Sequence, residues 1–340
     1  MIRNTPHNAS EPAEREIVAP VDMCLPNGRL NPAAVGWSRQ PMHRANLKGW
    51  GRNKRFEYWC VTTPEFVITA NISNQDYRAN IASTFIDLKA GKVVAYRDNR
   101  WLPKRNALDD LVAERPMTES GTEIAVKLTP NAAGTHLSVR APRLVLDAQV
   151  HEDPGHESMG VLVPWSDRLF QYTRKDNGLP VEGELVVDGE RRVLNPQSAL
   201  AIYDHGRGRW PYNTLWNWAA GHGFCNGELV GLQFGGKWTD GTPSTENSVR
   251  VGGRVHKISE ELEWIYDTSD WMKPWAIRGK RVDIVFTPSI YHRHEFNRWV
   301  ISARADQCFG YFSGEVVTDD GRSHVVNNVF GIAEEVHRKW

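Results

Sequence analysis

The stretch Ala199–Asn247, ALAIYDHGRGRWPYNTLWNWAAGHGFCNGELVGLQFGGKWTDGTPSTEN, holds the chain's densest set of groups able to do chemistry. Two carboxylic acids, Asp204 and Glu246, flank two indoles, Trp216 and Trp218. Residues two apart on an extended segment share a face, so the indoles would form one wall of a cavity if that face is a barrel interior. Asp204 closes the apolar run ALAIY, where a side chain reaches a barrel mouth or lumen. A carboxyl set among indoles loses hydration, which raises its pKa and keeps a proton available for acid catalysis. His205 would hold the acid or handle water. Glu246 or Asp240 would supply a second acid/base or position water, and Trp238 would extend the aromatic wall. Tyr172 and Lys175, from FQYTRK, would line a groove between two barrels. The same residues also fit plainer roles: an Asx turn at Asp204, indoles as core, and Glu246 as an ordering hydrogen bond in a loop.

Other patterns fail on physical grounds. Gly231 to Trp238 matches a phosphate loop except at its last position, where Trp lacks the hydroxyl that holds magnesium, and a turn-rich segment follows instead of a helix. His151 and His156 are one residue too far apart for H-E-x-x-H, and Pro154-Gly155 forbids its helix. His292 and His294 alternate on a strand and read as solvated or hydrogen-bonded. The four cysteines, 24, 60, 225 and 308, are scattered and read as packed, reduced thiols. The expectation is therefore no metal site and no cofactor.

The elements that must position these groups read as strands. Two-residue turns at Ala90-Gly91, Asp188-Gly189, Gly252-Gly253 and Asp320-Gly321 sit between alternating apolar and polar segments, the mark of antiparallel hairpins. Helical patterns are confined to 104–114 and 334–339. RFEYWCV around Trp59 echoes TLWNWAA around Trp218, which suggests a duplicated unit. The expected fold is all-β: two tandem antiparallel β-barrels with few short helices. The chain divides into an N-terminal arm (1–40, mobile over 1–26, with Leu30 and Trp37 packing on the first barrel), a first barrel (41–180) and a second barrel (181–340).

Composition narrows the function. With 41 basic and 41 acidic residues the chain lacks the basic excess of a nucleic-acid binder. No apolar run is long enough to span a bilayer, and the polar N-terminus, without an apolar h-region, predicts a cytoplasmic protein. Seven of the 14 Trp fall between residues 210 and 275, enough to fill a large core or to line a cavity for an apolar or planar ligand.

The runs NGRLNPAAVGWSRQPMHRANL, FQYTRKDNGLPVEGEL, WNWAAGHG, FGGKWTDGTPSTEN and DWMKPWAIRG resemble the bacterial domain-of-unknown-function 2804 family over nearly the whole chain. The Asp-His pair followed by W-x-W resembles the wider carotenoid 1,2-hydratase and hydroxyneurosporene synthase superfamily. That resemblance implies lipocalin-like barrels, greasy ligands, hydration or cyclisation chemistry, and Asp204 as proton donor. His205 is followed here by Gly-Arg-Gly-Arg-Trp, so the aromatic residue falls later, at Trp210. Two functions are carried forward: acid-catalysed hydration or cyclisation of an unsaturated hydrophobic or aromatic molecule, and non-catalytic carriage or sensing of a hydrophobic ligand.

Overall fold

Alternating side chains punctuated by turn residues send nearly the whole chain into antiparallel strands. The structure, a computed structural model, describes residues 2–3, 14–103, 108, 110 and 115–340. Among them the one helical element is a 3₁₀ turn at Pro32–Ala34. The helix expected over 104–114 falls, apart from residues 108 and 110, outside the described residues. The helix expected at 334–339 is instead the end of a long strand, because it pairs on both sides with antiparallel neighbours, Asn213–Cys225 and Ile301–Val317. The expected hairpins form. At Asp188-Gly189 (φ 54° and 83°) and Gly252-Gly253 (φ 56° and 86°) both central residues take the positive φ that primed turns need.

Eleven strands frame the site: β1 (Asn53–Thr62), β2 (Phe66–Asn74), β3 (Arg78–Asp87), β4 (Val93–Trp101), β5 (Phe170–Val187), β6 (Leu200–Arg209), β7 (Asn213–Cys225), β8 (Glu228–Gly236), β9 (Val282–Arg298), β10 (Ile301–Val317) and β11 (Ser323–Lys339). They belong to two curled antiparallel half-barrel sheets. The first runs β4-β3-β2-β1-β6-β5 and continues through Leu144–His151, Gly134–Ala141, Ala125–Asn131 and Met117–Ser120. The second runs from Glu263–Tyr266 through Trp275–Arg278 to β9-β10-β11-β7-β8 and then Ser248–Val251 and Arg254–Lys257. The chain passes from one sheet to the other between Arg209 and Asn213; residue 180, where the sequence reading divides the barrels, lies inside β5. The arm is packed from residue 14 onward. Met23, Cys24, Leu30 and Trp37 are buried, and Gly36–Ser38 pairs with Met159–Pro164 beside β5.

Each half-barrel is filled. Trp59, Ile68, Phe85, Leu146 and Tyr203 belong to the core of the first, Phe234, Trp264, Trp275, Phe286 and Phe312 to that of the second. The cavity lies elsewhere, between the sheets. Cys60, Val67, Ile86 and Ile202 of the first sheet meet Trp218, Ala220, Phe309 and Ile332 of the second in an apolar seam, and the hollow opens beside it. The four cysteines are buried free thiols. No helix among the described residues is long and apolar enough to cross a membrane.

A buried charge cluster pins β1 to β6. Glu57 accepts hydrogen bonds from the Tyr203 hydroxyl and Arg207 and contacts His205 Nδ1 at 3.0 Å; its side chain is wholly buried. Burial works to raise the Glu57 pKa, but the charges of His205 and Arg207 outweigh it and hold the carboxyl at about 2. Deleting one member leaves an uncompensated buried charge, so Glu57→Gln is expected to cost about 3–5 kcal/mol in urea denaturation.

Candidate functional site

Strand alternation selects which side chains reach the cleft. On β5, Gln171, Thr173 and Lys175 line it; on β1, Lys54, Phe56 and Tyr58; on β7, Trp216 and Trp218; on β11, Glu334, Val336 and Arg338. Together with Asp204, Trp210, Trp238 and Glu246 they enclose a cavity of about 230 Å³. Gly206, opposite Phe56 on β6, keeps this wall flat, since a Cβ there would lie 2.0 Å from the Phe56 ring.

The chemistry centres on Lys175. Its Nζ lies 2.6 Å from Asp204 Oδ2 and 2.8 Å from Glu246 Oε1. Lys175 and Asp204 are cross-strand partners on β5 and β6, whereas Glu246 enters from the segment after β8. Gly235 admits that carboxylate: a Cβ at 235 would sit 2.4 Å from Glu246 Oε2. Trp238 Nε1 donates to the same oxygen at 2.9 Å, and the Thr173 hydroxyl lies 3.1 Å from Asp204 Oδ1. The ammonium also stands 4.8 Å over the Trp218 ring. A third carboxyl, Glu334, accepts from Trp216 Nε1 at 3.1 Å and Gln307 Nε2 at 2.9 Å.

One cation thus serves two carboxyls. Burial opposes the Lys175 charge, but Asp204 and Glu246 prevail and raise its pKa. Burial raises the pKa of Glu246; Lys175 pulls it back, and the neighbouring Asp204 pushes it up. Burial also raises Glu334. Burial thus shifts Glu246 and Glu334 toward their protonated forms beside aromatic faces.

Six of the residues expected from sequence come together here: Asp204, Glu246, Lys175, Trp216, Trp218 and Trp238. Three do not. Tyr172 points to the opposite face of β5 and stacks on His43 at 4.6 Å, because it is out of phase with Thr173 and Lys175. His205 points away from Asp204 into the Glu57 cluster. Asp240 stays in the loop, accepting the Lys237 backbone N–H at 2.8 Å. Sequence reasoning missed Lys54, Tyr58, Glu334, Gln307 and Arg338. Alternation in KRFEYW was the available signal for Lys54 and Tyr58 and alternation in EEVHRK for Glu334 and Arg338, the latter concealed by the helical reading of 334–339; Gln307 had no such signal. His256, Asp319 and Asp320 bring three potential metal donors within 4.8 Å of one another, outside the cavity lining.

Residues 14–340 match the family described as domain of unknown function 2804 (DUF2804). The chain belongs to that family. Among solved structures, kievitone hydratase from Nectria haematococca is similar to this DUF2804 chain at 14% identity and a TM-score of 0.49, covering 85% of this chain and 89% of its own. A protein of Nitrosomonas europaea described as AttH is similar at 11% identity and a TM-score of 0.47, covering 85% of this chain and 92% of its own. No curated protein matches the chain.

The raised pKa of Glu246 in the DUF2804 fold has a stability consequence. An acid whose folded pKa exceeds its unfolded value destabilises the fold once pH rises from the unfolded pKa through the folded one. Glu246→Gln removes that penalty. The stability of Glu246→Gln relative to wild type is expected to climb as pH rises above the ordinary glutamate range, read from paired urea titrations between about pH 4 and pH 8.

Proposed function

We propose that this protein is an enzyme of acid catalysis that hydrates or cyclises an unsaturated hydrophobic or aromatic small molecule in the cleft between its half-barrels. The observation that carries this reading is Glu246, a buried carboxyl with a raised pKa, held by an indole N–H and a shared lysine on the wall of an aromatic cavity. Glu246 donates its proton to one carbon of the substrate's C=C bond, and the π electrons form the new C–H bond. The neighbouring carbon becomes cationic, and the faces of Trp216 and Trp218 stabilise it, by up to about 2 kcal/mol when desolvated. In hydration, water forms the C–O bond and its surplus proton passes to Asp204, which returns it to Glu246 through the Lys175 bridge. In cyclisation, a second π bond of the substrate supplies the electrons and a proton is lost from the adjacent carbon. Asp204 serves in this scheme as base and as the charge that raises Glu246, so the donor differs from the one the superfamily resemblance implies.

Native mass spectrometry of the purified protein identifies what it retains; that compound is then incubated in H₂¹⁸O and in D₂O. Hydration is expected to place ¹⁸O in the product, whereas cyclisation places deuterium at the protonated carbon without added oxygen. Glu246→Gln is expected to lower kcat by about 10²–10⁴-fold, the range for loss of a general acid, with ligand affinity nearly unchanged. Wild-type protein that retains the ligand and never converts it would instead be a carrier.

A further inference from the structure

The cleft has a second end, and its charge is unanswered. Lys54 is 7% exposed and reaches into the cavity with its Nζ 3.5 Å from the Trp210 ring centre, 4.4 Å from Trp340 and 5.3 Å from Trp216. Arg338, from the facing sheet, lies over the same two outer rings, 5.3 Å from Trp340 and 5.7 Å from Trp216. Arg97 crosses the cleft to contact the His294 ring, and Arg78, outside the cavity lining, stands 5.8 Å from the Phe296 ring. Among the described residues none of these four cations pairs with a carboxylate, and the Nε atoms of Arg78 and Arg338 are buried without any acceptor. Glu334, the carboxyl nearest in charge to Arg338, is held instead by Trp216 and Gln307.

Cations brought together without an anion repel one another. Burial, then the charges of Arg78 and Arg97, bring Arg338 down to about 10, and burial with Arg97 and Arg338 brings His294 down to about 4. Burial, then Arg338, lower Lys54 as well, against the opposing charges of Asp204 and Glu334. Desolvated, unpaired cations are costly, and an anion reaching them from solution would recover that cost.

We propose that Lys54 and Arg338 bind the anionic head of the ligand, which makes the substrate an amphiphile: a carboxylate or phosphate on an unsaturated hydrophobic body. This rests on the reading of the cleft as a ligand site and adds the head group to it. Geometry sets the direction of binding. Lys54 and Tyr58 share one face of β1, four residues or about 13 Å apart, and Tyr58 is the cross-strand partner of Asp204. A head at Lys54 therefore lays the body along Phe56, Trp216 and Trp218 with its distal double bond toward Glu246.

The test uses three probes with one unsaturated ten-carbon body: geranic acid, geranyl phosphate and geraniol. Affinities are read by calorimetry on wild type, Lys54→Met, Arg338→Met and Arg338→Lys. At least one anionic probe is expected to bind about tenfold or more tighter than geraniol, as for a hydrogen bond to a charged group. That advantage should vanish in Arg338→Met and Lys54→Met and return in part in Arg338→Lys. The wild-type comparison of the three probes tests the head site by itself, even if the buried variants fail to fold. The ranking of acid against phosphate identifies the head. Geraniol binding as tightly as both anions, or failure of both anions to bind, overturns the proposal. Glu246→Gln keeps the anion preference if the head site is right, whatever becomes of turnover; a lost preference with intact binding condemns the head site alone.

Discussion

An ammonium without water is tolerable only when anions take the place of its hydration shell, and Lys175 meets that condition with two. The excess matters more than the pairing. A single carboxylate would have closed the charge and left an inert ion pair. Two carboxyls around one cation leave a negative charge that burial disfavours, and burial, with Asp204 beside it, raises the pKa of the deeper acid, Glu246. Gly235, Trp238 and Thr173 maintain this imbalance: the glycine makes room for Glu246, the indole fixes one of its oxygens, and the hydroxyl steadies Asp204.

The position of the hollow follows from how the half-barrels are filled. Trp59, Tyr203, Trp264 and Trp275 are buried in the apolar cores of the half-barrels, and the described cavity lies outside those cores. The outward faces of the central strands must then be covered by something, and each sheet covers the other. Packing is dense along the Cys60–Trp218–Phe309 seam and fails where charged and polar side chains meet across it. Polar groups on both walls thus create the void as well as equip it.

Much of this was legible in the residues. Turn dipeptides and alternation marked the antiparallel strands, and the W-x-W spacing correctly put Trp216 and Trp218 on one face. What the spacing could not reveal was which side of the sheet that face looks toward. Trp59 and Trp218, matched in the internal echo, take opposite roles, one in a barrel core and one in the cleft. Tyr172 and Lys175 were grouped by proximity in sequence, whereas a strand separates neighbours of odd spacing onto opposite faces. His205 fell to the same geometry: beside Asp204 in the chain, it is across the sheet from it in space. The EEVHRK segment holds several good helix formers, so local propensity favoured a helix that cross-strand pairing with β7 and β10 overrode.

The two charged ends are linked through the aromatic wall between them. Trp216 donates its N–H to Glu334 while its face meets Lys54 and Arg338. Trp218 bonds to Gln233 while its face meets Lys175. Each indole therefore spends its one donor on a fixed partner and leaves its π face to a cation. A ring fixed in that way keeps its orientation along the cavity wall. Under the proposed head site, an uncharged ligand would leave Lys54 and Arg338 buried beside it without an anion, a desolvation cost that favours anionic ligands.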